Sequence, residues 1–308
     1  MESTDPTTVL LATFNGLKWL PAQIESILNQ RVNTIDLVIS DDMSTDGTWE
    51  WLQEISANDP RIVLLPRIGK FGGAGINFFR LLRDSNLNKC RYVGFADQDD
   101  IWCPEKLKCA QQTLRVQQAD GYSSNVTAFW ANGKTRLIQK AQAQRQWDFL
   151  FEAAGPGCTY VITAELALAL QSTMINQWQN VSTIALHDWL TYAYARANGY
   201  KWIIDEKPNV HYRQHESNQV GANFGQKAFI HRANLVSSGW AIKQSASIAK
   251  IIGMGDHAFV RSWVNGNRWG ILLLALKANQ CRRRLRDRIL FALSCLTMLL
   301  TRTRSSKN

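Results

Sequence analysis

Thirteen residues, Tyr92 to Pro104 (YVGFADQDDIWCP), hold the densest chemistry in this chain. A short apolar run leads straight into three carboxylates, Asp97, Asp99 and Asp100, and then into a turn closed by Pro104. Like charges gathered at the end of a buried strand repel one another, so the pattern predicts an offset from a cation, a hydrogen-bond donor or open water. Hard oxygen ligands suit Mg²⁺ or Mn²⁺, whose free coordination positions suit a diphosphate. The plainer alternative is three Asp residues that open a solvated loop.

Such a cluster needs a scaffold, and the first hundred residues alternate strand and helix. Val9–Thr13 reads as a strand turned by Phe14-Asn15-Gly16 into a helix carrying Leu20, Ile24, Ile27 and Leu28 at helical spacing, with Pro21 in its first turn. Ile35–Ser40 is a second strand ending at Asp41-Asp42, and Asp46 is the expected N-cap of a helix over Thr48–Ala57. Arg61–Leu65 is a third strand, followed by a loop with Gly69, Gly72, Gly73 and Gly75 and a helix over Ile76–Arg83. The run opening at Tyr92 is the fourth strand. This alternation predicts a mostly parallel sheet flanked by helices, with ligands at the carboxyl ends of its strands. Thr13–Asn15, Asp41–Asp42 and Asp97–Asp99 all fall at those ends, which predicts one site. Neither GxGxxG after the first strand nor GxxxxGK[ST] anywhere is present, so neither a dinucleotide fingerprint nor a Walker loop holds that ligand.

The chain has 308 residues, 45% of them apolar, enough for one large domain with an appendage. Its six cysteines form no CxxC pair, and no His stands at zinc-finger spacing, so free thiols in a reducing cytosol are expected. The N-terminus carries two acids and a short apolar run, the pattern of neither a signal peptide nor a membrane span, and a cytoplasmic location is expected. Of the net +10, most lies near the C-terminus: residues 277–308 hold nine Lys or Arg against Asp287. A basic tail on a nearly neutral body argues against nucleic acid as partner and for one local anionic partner.

ATFNG (12–16), ISDDMSTDGT (39–48) and FADQDDIW (95–102) together resemble the inverting, metal-dependent glycosyltransferases of family 2, which have the Rossmann-like GT-A fold. HDWLTYAYARANGY (187–200) and VHYRQHESNQVG (210–221) are similar to the subset that includes bacterial rhamnosyltransferases and other O-antigen or cell-wall polysaccharide transferases. The resemblance spans residues 8–225 and implies a GT-A catalytic domain over 1–225, with a nucleotide-binding half (1–100) and an acceptor half (101–225). It implies that Thr13, Asn15 and Asp42 meet the nucleoside, Asp42 by accepting a hydrogen bond from a pyrimidine N–H. Asp97 and Asp99 match the DxD of the family, Asp99 as metal ligand and Asp97 as metal or ribose ligand. Asp188 matches the catalytic base, although Asp at a helix start also reads as an N-cap. Arg213 is implied at the diphosphate and His215 at the metal, whereas His211 reads as structural. Where relatives carry Asn-x-Gly before the glycine loop, this chain has Arg67-Ile68-Gly69, and no QxxRW of processive synthases occurs.

The implied reaction moves a sugar from dTDP-rhamnose or a UDP-sugar to a saccharide acceptor, expected to be lipid-linked, during cell-surface polysaccharide or lipopolysaccharide synthesis. A nucleotidyltransferase and a non-catalytic nucleotide-sugar binder are the alternatives. The first would carry a basic glycine-rich loop after its first strand, where this chain has ATFNGLKWL with Lys18 alone, and the second has no use for Asp188. Residues 226–308 read as a helical, basic, amphipathic extension whose apolar runs, Trp269–Leu276 and Ile289–Leu300, are too short to span a bilayer. With CRRRLRDR between them, 269–308 fit helices lying on the cytosolic face of an anionic membrane, each basic residue adding on the order of 1 kcal/mol. An oligomer interface and a hairpin covering the catalytic domain are the other readings.

Overall fold

The computed structural model describes residues 5–32, 34–215 and 239–305, with side chains described to residue 299. The end of the 210–221 motif, the first part of the helical extension expected over 226–308 and Lys307 lie outside the described residues. The chain divides into two compact units, Met1–Ala141 with Ala154–Gly221, and Gln142–Ala153 with Ala222–Asn308.

The first unit is built on a seven-stranded sheet. Its strands are β1 (Thr7–Thr13), β2 (Ile35–Asp41), β3 (Ile62–Leu64), β4 (Tyr92–Asp97), β6 (Gly121–Ser124), β9 (Val161–Thr163) and β10 (Trp202–Asp205), in the order β10-β6-β9-β4-β1-β2-β3. Only β9 among these runs antiparallel to its neighbours. Every residue of β1 is buried, as a central parallel strand covered on both faces requires, and this is why it reads as an unbroken apolar run. Helices α1 (Leu20–Leu28), α2 (Thr48–Asn58), α3 (Ala74–Asp84), α4 (Lys106–Gln117), α5 (Ala164–Asn176), α6 (Trp178–Val181) and α7 (His187–Ala197) complete this unit. Ile24 and Ile27 of α1 and Leu107, Ala110 and Leu114 of α4 join Val9, Leu11 and Leu37 in one core.

A second sheet, which the sequence does not announce, has the order β5-β11-β7-β8, from β5 (Ile101–Trp102), β7 (Val126–Trp130), β8 (Thr135–Ile138) and β11 (Val210–Gln214). β11 pairs antiparallel with β5 and parallel with β7, so Arg213 stands on a strand beside the acidic turn and not in a loop. At Gly121 a Cβ would fall 2.0 Å from the Trp202 ring, so β6 and β10 require a glycine there. The expected cap of α2 is displaced by one position: Gly47, with φ 89°, is the N-cap, and Asp46 accepts the Thr48 N–H at 3.1 Å.

In the second unit the helices Trp240–Ile251, Ala258–Trp263, Arg268–Leu276 and Leu285–Ser305 gather with the segment Gln142–Ala153, which sequence alone leaves inside the catalytic part. Trp147 stacks on Phe259 with centroids 4.6 Å apart, and Phe151 meets Phe291 at 5.1 Å. Part of the arginine run is turned inward. Arg283 is buried, with Nη1 3.1 Å from Asp148 Oδ2 and Nη2 donating to Ala153 O at 2.6 Å. Arg282 donates to Phe151 O at 2.7 Å and Arg288 to Arg283 O at 2.6 Å. Three of the five arginines therefore bind backbone within the unit, Arg282 and Arg283 serving carbonyls of the 148–153 segment and Arg288 those of Arg282 and Arg283, since such carbonyls need donors. Removing one partner of a buried pair leaves the other charge unpaired, at about 3–5 kcal/mol. Arg283→Met should thus lower stability by about that amount in chemical denaturation, whereas Arg286→Met, at an exposed side chain, should change it by less than about 0.5 kcal/mol; equal effects would contradict the buried role.

Candidate active site

Register brings the polar strand ends together. Thr13 lies opposite Asp41, and its neighbour Ala12 opposite Asp97, so β1, β2 and β4 deliver their last residues to one sheet edge. Gln98, between the two acids of the DxD, ties two of these ends. Its Oε1 accepts from Thr13 Oγ1 at 2.7 Å and from Phe14 N at 2.8 Å, while its Nε2 donates to Phe14 O at 3.1 Å. Asn15 sits at φ 48°, a conformation Asn tolerates better than most residues. There its N–H donates to Ser44 Oγ at 2.8 Å and its side-chain oxygen accepts from Thr45 N at 2.8 Å, fastening the β1 loop to the β2 loop.

Asp41 and Asp42 are both buried and both engaged. Asp42 accepts the backbone N–H groups of Phe71 and of Gly72, the latter at 2.8 Å, and so anchors the glycine-rich loop. Asp41 accepts Ser44 N at 3.0 Å and stands 3.2 Å from Arg67 Nε. Arg67 also donates to Ser44 O at 2.9 Å. The departure from Asn-x-Gly thus supplies a cation that compensates Asp41.

The three carboxylates of the β4 turn are met by β11. Arg213 donates its backbone N–H to Asp100 Oδ1 at 3.0 Å and its Nε to Asp99 O at 2.7 Å. Its guanidinium lies between the Trp19 and Phe129 rings, 4.5 and 4.6 Å from their centroids. His215 Nε2 is 2.7 Å from Asp99 Oδ2, and its ring stacks on Trp19 with centroids 5.4 Å apart. Burial, then the charges of Asp99 and Asp188, push the Asp97 carboxyl up to about 8. Burial and Asp99 likewise hold Asp100 well above the usual carboxylate range. Below them, Lys106 is buried over the Trp102 ring at 3.5 Å, and burial lowers its amine to about 7. Gln98, Trp19 and Lys106 went unread in the sequence, since an amide, an aromatic and a lysine beside a motif carry no spacing signal.

Asp188 approaches from the acceptor half. It lies in the first turn of α7 but is not its cap, because Leu186 occupies the N-cap position. Its Oδ1 accepts from Trp189 N at 2.8 Å, and burial raises its carboxyl to about 6. Its neighbour His187 stacks on Phe78 at 3.8 Å and is held neutral by burial, its pKa near 3. A Cβ at Gly157 would fall 2.3 Å from His187 Nε2, so a glycine there lets the chain pass close to the base.

Two groups of side chains are candidates for a cation. Asp99 and His215, 2.7 Å apart, offer a hard oxygen and an imidazole that suit Mg²⁺ or Mn²⁺ in donor chemistry, with Asp97 two residues before Asp99 on the same turn but not gathered with both within 4.8 Å. Asp97, Asp100 and Cys158 hold ligand atoms within 4.8 Å of one another, but Asp100 and Cys158 are fully buried and the thiol is a soft donor kept protonated by burial. The first set is the better match.

Residues 8–164 match the family Glycosyl transferase family 2. The chain belongs to this family. It is 44% identical over 280 residues to the dTDP-rhamnosyl transferase RfbG of Shigella flexneri, covering 91% of this chain and 96% of that one. It is 33% identical over 100 residues to an Escherichia coli protein, the UDP-Glc:alpha-D-GlcNAc-diphosphoundecaprenol beta-1,3-glucosyltransferase WfaP, covering 32% of this chain and 38% of that one. Among solved structures, S. aureus TarS 1-349 in complex with UDP-GlcNAc superposes with a TM-score of 0.54 at 14% identity, covering 96% of this chain and 88% of that one. The mannosyltransferase PcManGT from Pyrobaculum calidifontis, in complex with GDP-Man and Mn²⁺, does so at 0.51 and 17%, covering 97% and 88%. The fold is therefore GT-A, and this family member is a glycosyltransferase.

The raised Asp97 pKa has a sign for stability. A carboxyl that binds its proton more tightly folded than unfolded costs stability as pH climbs from about 4 through about 8. In chelator, Asp97→Asn should therefore raise the melting temperature more at pH 8.5 than at pH 4; a gain equal at both pH values would contradict the burial and repulsion assigned to this carboxylate.

Proposed function

We propose that this chain transfers a sugar from a nucleotide-diphosphate donor to a saccharide acceptor with inversion, in the synthesis of a cell-surface polysaccharide. Its extended identity with a protein named a dTDP-rhamnosyl transferase is the observation that carries the reading and makes dTDP-rhamnose the first donor to test, before UDP-sugars. The relative named for a diphosphoundecaprenol-linked substrate supports a lipid-linked acceptor. Such an acceptor would put the enzyme at the cytosolic face of the membrane, docked through 269–308. The catalytic part is then residues 1–141 with 154–221, and the expected boundary at 225 gives way because 142–153 gathers with the C-terminal helices.

In this mechanism Asp99, with His215 and Asp97, would hold Mg²⁺ or Mn²⁺, which when bound would supply Lewis-acid stabilisation of charge on the departing nucleoside diphosphate. Arg213, kept in place by its two ring faces and by Asp99 O, offers the diphosphate a further cation. Thr13 and Asn15 set the loop against the nucleoside. Asp42 accepts the pyrimidine N–H, which a carboxylate already holding Phe71 and Gly72 has lone pairs left to do. Asp188 accepts the proton of the acceptor hydroxyl as that oxygen attacks the anomeric carbon on the face opposite the leaving group.

A general base with a pKa near 6 must be ionised to act, so kcat/KM should rise with pH up to a plateau above about 6. Asp188→Asn should keep donor binding and lose transfer by about 10²- to 10⁴-fold; unchanged turnover would remove Asp188 from the mechanism. A panel of dTDP- and UDP-sugars assayed with Mn²⁺, with Mg²⁺ and in excess chelator tests donor and metal together. Turnover is expected only with a divalent cation, and Asp99→Ala should abolish it. Full activity in chelator would sink the metal role.

A further inference from the structure

The C-terminal unit displays apolar side chains where a folded protein normally hides them. Trp269 and Leu276 are 81% and 74% exposed on helix Arg268–Leu276, while Ile271 and Leu274 of the same helix are buried. On helix Leu285–Ser305, Leu285, Ile289, Leu293 and Leu296 are each exposed by 42% or more, and Cys295 points inward. Spacings of four, four and three residues put those four on one face. The two helices pack against each other. Exposed apolar faces on two packed helices are the kind of surface at which a docking partner is to be sought.

Charge narrows the occupant. From Arg268 to the C-terminus the sequence holds ten Lys or Arg and the single acid Asp287. Arg282, Arg283 and Arg288 are engaged by internal carbonyls, whereas Arg268, next to Trp269 in the chain, and Arg286, next to Leu285, are exposed, Arg286 with its Nε 3.2 Å from Asp287. A second copy docking through the same face would set this basic rim against itself, since a twofold interface meets its own patch. An anionic partner with an apolar interior has no such conflict. No helix among the described residues is long and apolar enough to cross a membrane. We infer that helices Arg268–Leu276 and Leu285–Ser305 lie in the interface of an anionic bilayer, with Trp269, Leu276, Ile289 and Leu293 entering the acyl boundary and Arg268 and Arg286 at the headgroups. This locates the membrane attachment of the proposed function on an apolar surface with a thin basic rim, and not on the arginine run itself.

Co-sedimentation of the full chain with phosphatidylglycerol-containing and pure phosphatidylcholine vesicles tests it. Binding should favour the anionic vesicles and retain a salt-resistant part, because insertion of apolar side chains is not screened. Ile289→Ser with Leu293→Ser, at exposed positions that leave the fold intact, should cut partitioning at least tenfold, and Arg268→Glu with Arg286→Glu should remove the preference for anionic lipid. Both variants should keep wild-type turnover of nucleotide sugar with a water-soluble acceptor. Absence of vesicle binding, or a wild-type oligomer that the Ser variant splits, would overturn the inference. Vesicle binding by a chain that turns over no nucleotide sugar would instead overturn the donor reading and leave the docking surface standing.

Discussion

Mutual repulsion among Asp97, Asp99 and Asp100 is the constraint on which the rest of this site depends. Three carboxylates at the end of one buried strand are unfavourable in a low dielectric, and two of them take up protons more readily than a solvated carboxyl would. The fold keeps them because β11 brings donors to the cluster: the Arg213 backbone N–H to Asp100, its Nε to Asp99 O, and His215 to the Asp99 carboxylate. Trp19 in turn packs against both the Arg213 guanidinium and the His215 ring. The compensation is partial. Asp100 keeps a buried oxygen without a hydrogen-bond partner, and Lys106 lies buried below with its amine in the same state. Stored repulsion of this kind is what a site for a cation and a diphosphate should carry before either arrives.

The same economy recurs at the other strand ends. Gln98, Asn15 and Ser44 use their polar groups to hold the β1, β2 and β4 loops to one another, so Thr13 and Asn15, which the family resemblance assigns to the nucleoside, also build the rim that would receive it. Asp188 enters on a separate helix and is tuned by burial, which suits a base working near neutral pH.

What was legible follows from how each feature is encoded. The central residues of β1, β2 and β4 are buried on both faces, so each strand carries an apolar stretch, and the polar residues that end them, Thr13, Asp41 and Asp97, mark the sheet edge directly. The observed β2 extends only to include Asp41, and α3 begins two residues before the Ile76 read from sequence. The small sheet was hidden because β5 is two residues long and β11 finds its partners about a hundred residues away, leaving no local periodicity to read. Gln142–Ala153 was hidden for a similar reason: Trp147 and Phe151 look like ordinary core residues until Phe259 and Phe291 arrive from the end of the chain. The arginine run shows a different limit. Composition counts charges but not directions, and Arg283 turns inward to Asp148 while Arg286 stays outside.

The central claim is that one base, Asp188, and a leaving group held at the β4–β11 cluster act from opposite sides of the anomeric carbon in a single displacement. Proton NMR of the first-formed product with an α- or β-defined donor reads this directly. The opposite anomeric configuration in the product is the predicted result, and retention of the donor configuration would contradict the arrangement.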